Sequence, residues 1–207
     1  MEIKHVTVSG AGLMGTQIAM QVALHGYQVT TYDVFPAQLE KAKAFADDWF
    51  AKRVQKGKLS AEAAAKAQAA LHYSSDIQEA AGEADLIIDA VPDILEIKIK
   101  SLKALDEYAP AHCIYASNSS YIVSSRFCHA VKDPSHVLNV HFFNPALVMK
   151  IVEVVKGPHV SQDTFDTAFR FVQSIDKTPV KIEKEIYGFV VNRIFSALTR
   201  EACYLVD

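Results

Sequence analysis

The groups in this sequence best suited to handling a proton are a histidine, a glutamate twelve residues beyond it, and a short run of hydroxyl and amide side chains. His141 follows the apolar run Val137–Val140 and opens His141-Phe142-Phe143-Asn144-Pro145, and Glu153 lies within the strand-like run 150–155. If the two runs face one another, the carboxylate fixes the imidazole tautomer and favours its protonated form. An imidazole with an ordinary pKa near ~6.5 can take a proton from a hydroxyl group and give it back. Ser117-Asn118-Ser119-Ser120 follows a second apolar run, 113–116. That order places polar side chains beyond the carboxyl end of a strand, where open parallel sheets bind ligands. The plainer alternatives are a structural histidine, an edge-strand surface charge, and Ser and Asn acting as turn formers. His5, His25, His72, His112, His129, His136 and His159 show neither a matching carboxylate spacing nor a metal-ligand pattern.

A second chemical signal lies at the start of the chain. Gly10-Ala11-Gly12-Leu13-Met14-Gly15 fits Gly-x-Gly-x-x-Gly and sits between the strand-like Val6–Ser9 and a helical pattern from Leu13 to Leu24. In that context Gly10 permits a tight turn, Gly12 lets the backbone approach a pyrophosphate, and Gly15 allows the helix to pack on the strand. The anion then rests at the positive end of a helix. Asp33 ends the next strand eighteen residues after Gly15. A carboxylate there accepts hydrogen bonds from ribose hydroxyls and repels a 2′-phosphate, and the following Val34, Phe35 and Pro36 offer no cation to receive one. NAD is therefore the expected dinucleotide.

These groups need a scaffold that brings strand ends together. Apolar runs at 6–9, 27–32, 86–91, 113–116, 137–140, 150–155 and 180–182 alternate with helical patterns at 13–24, 38–56, 61–70, 95–108, 164–174 and from 188 onward. The alternation predicts an α/β fold of Rossmann type, doubly wound around a mostly parallel sheet covered on both faces, with a helical hairpin inserted at about 36–70. Residues 1–184 are expected to form the dinucleotide domain, and 185–207 the first helix of a second, helical unit. With 207 residues, 50% of them hydrophobic, the chain can bury one full core. A net charge of −3 offers no basic excess for a nucleic-acid partner, and no run is long and apolar enough for a membrane span. No apolar leader follows Met1, so a cytoplasmic location is expected. Cys113, Cys128 and Cys203 are odd in number and widely spaced, which predicts buried, reduced thiols rather than disulfides or a zinc site.

Taken together, the glycine loop, Asp33, the helical hairpin, Ala116-Ser117-Asn118-Ser119-Ser120, His141-Phe142-Phe143-Asn144-Pro145, Met149-Lys150 through Glu153-Val154-Val155, and Gly188-Phe189-Val190-Val191-Asn192-Arg193 resemble the 3-hydroxyacyl-CoA dehydrogenase family, particularly its bacterial 3-hydroxybutyryl-CoA dehydrogenase branch. The likeness runs from Ile3 to the end. It implies NAD-dependent oxidation of a (S)-3-hydroxyacyl-CoA, or the reverse reduction, with His141 as base toward the 3-hydroxyl and Glu153 orienting it. It further implies that Ser120 and Asn192 hold substrate oxygens. Asn118 and Asn144 would serve the cofactor, Asn144 on its nicotinamide side, and Asp93 and Lys98 match cofactor-contacting positions. Lys52, Arg53, Lys56 and Lys58 crowd the bend of the hairpin in an otherwise slightly acidic chain, and Lys52 and Lys56 are expected to help hold CoA phosphates, a solvated helix face being the alternative.

Departures from the family pattern matter too. Pro92-Asp93 stands where the family usually has a longer Glu, and Tyr187-Gly188 replaces the usual Pro-Gly. Members normally continue through a helical domain that forms the dimer, whereas this sequence ends at Asp207. The last helix carries Val190, Val191, Ile194, Phe195, Leu198, Cys203, Leu205 and Val206, read as apolar residues on more than one face, so a homo-oligomer through that helix is expected. Two other functions remain open at this level: an NAD-binding module with little turnover, and a related sugar-acid dehydrogenase without a CoA site.

Overall fold

The computed structural model describes residues 2–206. Eight strands form one sheet in the order β3-β2-β1-β4-β5-β6-β7-β8. They are β1 (His5–Ser9), β2 (Gln28–Tyr32), β3 (Leu71–Ser74), β4 (Leu86–Asp89), β5 (Ile114–Ser117), β6 (Val137–Phe142), β7 (Ile151–Val155) and β8 (Thr178–Ile182). All neighbours pair in parallel except β6 and β7. The doubly wound reading therefore holds, with the chain reversing between β1 and β4, the crevice where such sheets bind dinucleotides.

Buried strands explain the continuous apolar runs, since both sheet faces are covered. On one face α1 (Leu13–Leu24) and α6 (Gln162–Ser174) pack Ile18, Val22, Phe165, Phe171 and Val172 against Val6, Val8, Ile88, Val140 and Val154. The hairpin of α2 (Pro36–Gln55) and α3 (Ala61–Ala69) joins this layer through Phe50, Ala64 and Ala67. On the other face α4 (Ile77–Ala81) and α5 (Leu95–Asp106) bury Ala80, Ala81, Leu102 and Leu105 against Ile87, Tyr115 and Val137. Ser60 caps α3 by accepting the Ala63 N–H, as its position ahead of an Ala-rich run predicts.

Three expectations need correction. The strand β3 and the short helix α4 were not anticipated, because a four-residue edge strand containing His72 carries too little apolar pattern and α4 is barely more than one turn. The cysteines are not uniformly buried: Cys113 is, Cys128 is half-buried, and Cys203 is exposed. Finally, α7 (Val191–Tyr204) gathers its large apolar residues on one face, with Cys203 outside it. At one hundred degrees per residue Val191, Ile194, Phe195, Leu198 and Ala202 fall on a single stripe, and no residue of the helix is buried. Among the described residues no helix is long and apolar enough to cross a membrane.

Candidate active site

The glycine loop closes β1 onto α1 through backbone geometry that side chains would block. Gly10 has φ +102°, and a Cβ there would stand 2.7 Å from the Ala90 carbonyl oxygen. A Cβ on Gly15 would lie 1.8 Å from the Gly10 carbonyl oxygen, so only glycine lets the helix approach this closely. At Gly12 a Cβ would meet nothing within 4 Å: this residue faces open space and caps α1 without a side-chain hydrogen bond. The first-turn N–H groups of Leu13 and Met14 thus belong to a helix end with no side-chain acceptor, a donor set that fits a pyrophosphate. Asp33, just beyond β2, accepts the Ala11 N–H at Oδ2 (2.8 Å) and the Phe35 N–H at Oδ1 (2.9 Å). Each oxygen keeps a lone pair for a ribose hydroxyl, so the carboxylate both shapes the loop and suits NAD.

Beside this crevice the ends of β4 and β5 share a buried polar network. Asp89, at the end of β4, accepts from the Lys98 ammonium (2.9 Å) and the Ser117 hydroxyl (2.8 Å) at Oδ2. Lys98 is only 1% exposed and also lies 3.7 Å from Asp93. Its charge is matched within the fold, as a buried ammonium requires. Asp93 in turn accepts the Ser119 hydroxyl (2.6 Å) and the Ser120 N–H (3.3 Å), and Asn118 accepts the Phe142 N–H at Oδ1 (2.8 Å). The serine-asparagine segment is therefore pinned on both sides. Neither Asp89 nor Ser119 was singled out from the sequence. In the sequence Asp89 lies inside the apolar run 86–91, and only the structure shows that the strand ends on it.

His141 and Glu153 are direct partners across the antiparallel β6–β7 pair, on the sheet face opposite α1 and α6. His141 Nδ1 lies 2.8 Å from Glu153 Oε2, with the residues 4% and 0% exposed. The ring is walled by Phe143 and Phe189, centroids 4.6 and 5.6 Å away. Glu153 Oε1 accepts the N–H groups of Val190 (3.0 Å) and Val191 (2.9 Å) at the start of α7. Burial pushes this carboxyl up, but the His141 bond, the Val191 and Val190 N–H groups and the imidazole charge outweigh it and hold it below the usual range. An ionised Glu153 can only accept, so Nδ1–H donates to it, and in a neutral imidazole that tautomer leaves Nε2 as the acceptor.

Other anticipated residues are placed with different degrees of closeness to this pair. Asn192, in the first turn of α7, directs its amide to the Ser120 carbonyl oxygen at 3.4 Å, a long contact that brings the two together. Asn144 is exposed two residues beyond the end of β6, before a cis peptide to Pro145. Lys177, which sequence reasoning passed over, buries its ammonium against the carbonyl oxygens of Ala146 (2.6 Å) and Met149 (2.9 Å) and so ties down the loop after Asn144. Lys52 and Lys56 are exposed near the end of α2, Lys52 paired with Asp48 at 2.7 Å. No hydrogen bond among the described residues connects them to the histidine.

Comparisons with known proteins identify the family of the chain. Residues 5–186 match the model of the 3-hydroxyacyl-CoA dehydrogenase NAD-binding domain. The chain is 34% identical to the human mitochondrial hydroxyacyl-coenzyme A dehydrogenase, covering 99% of itself and 67% of that protein. It is 37% identical to the 3-hydroxybutyryl-CoA dehydrogenase of Clostridioides difficile over 95% of itself and 69% of the relative. The crystal structure of the Escherichia coli 3-hydroxybutyryl-CoA dehydrogenase superposes with a TM-score of 0.93 at 33% identity, covering all of this chain and 44% of that one. The chain spans about two thirds of the length of the relatives it matches by sequence. By the domain it matches and the relatives it resembles along nearly its whole length, the chain belongs to the 3-hydroxyacyl-CoA dehydrogenase family of NAD-dependent oxidoreductases.

Proposed function

We propose that this protein oxidises the 3-hydroxyl of a (S)-3-hydroxyacyl-CoA, or reduces the 3-oxo form, with His141 as the general base or acid. The observation that carries the proposal is the buried His141–Glu153 pair at 2.8 Å, on the strand next to the one that ends in Ser117–Ser120, with the strand of the glycine loop two places further along the same sheet. NAD, when bound, supplies the acceptor for the hydride leaving C3. His141 Nε2 takes the hydroxyl proton as the hydride leaves, and Glu153 stabilises the imidazolium that results. In the reverse direction the same imidazolium donates. Ser120 and Asn192, joined by their 3.4 Å contact, hold the substrate oxygens near the imidazole. The Phe143 and Phe189 rings exclude water from one side of it.

Replacing His141 with Gln is expected to lower turnover of acetoacetyl-CoA with NADH by roughly 10²- to 10⁴-fold while leaving NADH affinity close to normal. Near-normal turnover in that variant would remove His141 from the mechanism.

The acyl-CoA and a second copy of the chain are the partners we assign. Ile194, Phe195 and Leu198 of α7 are each 65% exposed on one stripe, a large apolar surface for a helix in water. Light scattering of the whole protein is expected to show a dimer or larger assembly that Phe195→Glu dissociates. A monomer at high concentration would exclude this surface as a self-association site.

A further inference from the structure

Glu153 has two carboxylate oxygens, and proton transfer through His141 uses only one of them. The other, Oε1, accepts two main-chain N–H groups from the start of α7. This helix buries none of its side chains. Its attachments to the rest of the fold concentrate at its beginning. There Phe189 is fully buried with Val155 and Ile182, and Asn192 reaches Ser120.

We propose that the first turn of α7 is a positioning element for the base: the Val190 and Val191 N–H groups keep Glu153 anionic, so that the imidazole proton stays on Nδ1 and Nε2 remains open. This rests on the assignment of His141 as base. A wholly buried carboxylate facing a single imidazole has a competing neutral arrangement, in which the acid keeps a proton and donates it to Nδ1. The imidazole then carries its own proton on Nε2 and cannot accept another. Two N–H donors and the positive end of a fourteen-residue helix act against that arrangement. Among the described residues no other charged group bonds to Glu153. His141 is its partner from β6, β8 sets Val180 opposite it, and α7 contributes only main-chain donors. Displacing α7 therefore weakens the base while sparing the glycine loop, which shares none of these bonds.

The test exchanges Val191, in the whole protein, for its α-hydroxy acid, which turns one amide into an ester and deletes one donor without changing the side chain. Less stabilisation of the anion makes protonation of the dyad as a unit easier. The acid limb of kcat/KM for 3-hydroxyacyl-CoA oxidation is expected to move up by about one pH unit, with NADH affinity unchanged. As pH falls through that limb, a carboxylic-acid infrared band is expected in the ester protein and not in the unmodified one, assigned to Glu153 by its loss in the added variant Glu153→Gln. Phe189→Leu, which loosens the seat of the helix while keeping all donors, is expected to move the limb in the same direction by less. An unmoved limb together with no new band overturns the proposal. The infrared result does not depend on turnover, so it separates this failure from that of the base assignment, which His141→Gln reports.

Discussion

The two halves of the proposed site are built in opposite ways. In the proposed dinucleotide half Gly10, Gly12, Gly15 and Asp33 all lie within one strand-turn-helix segment and the strand after it, and a more distant neighbour, Ala90 just beyond β4, closes on Gly10 and Gly15. In the proposed proton-handling half no two hydrogen-bonded partners are close in sequence. His141 meets Glu153 across an antiparallel pair, Glu153 meets residues 190 and 191, and Asn192 meets Ser120. A locally built site fails when its backbone cannot close. A site assembled from distant pieces fails when any one piece moves.

This contrast can be broken most severely at Gly15. Gly15→Ala places a Cβ against the Gly10 carbonyl, which cannot yield without moving the turn. We expect a cost of about 3 kcal/mol or more, shared between stability and cofactor binding, seen as a lowered Tm and NADH affinity reduced about a hundredfold. The His141–Glu153 pair should survive where the protein stays folded. Normal NADH affinity in this variant would show that the loop is not the binding element.

A smaller effect is expected at Asp33. The native protein should prefer NADH to NADPH by at least about tenfold, ~1.4 kcal/mol, as measured by calorimetric titration. Asp33→Asn removes the charge that repels the 2′-phosphate and should narrow the gap. It also converts an acceptor for the Ala11 or Phe35 N–H into a donor, so NADH binding should weaken as well. Equal affinities for the two dinucleotides in the native protein would contradict the role given to Asp33.

The smallest effect is expected at the hairpin. Exchanging Lys52 and Lys56 for Ala should raise KM for the CoA thioester by about twofold to fivefold, less so in high salt, without changing KM for NADH. Lys52 already pairs with Asp48 on an exposed helix face, which limits what it can add. An unchanged KM would make the cluster a solvated surface and confine recognition to the strand ends.

What could be read from the sequence follows the same division. The glycine loop, NAD as the cofactor, the strand-helix alternation and the mostly parallel sheet were legible, because each rests on a local pattern with a local cause. The pairing of His141 with Glu153 was legible only as a possibility: twelve residues of separation allow two strands to face each other, and the observed register made the two direct partners. The buried Asp89–Lys98 pair, the Lys177 clamp on the loop after Asn144, and the donors from α7 to Glu153 were decided by tertiary structure alone. Periodicity also marks α6 and α7 alike as amphipathic, yet α6 buries Phe165, Ala168, Phe171 and Val172 while α7 buries nothing. Local sequence sets which side of a helix is apolar. What lies against that side is a long-range property, because it depends on which distant elements the folded sheet brings there.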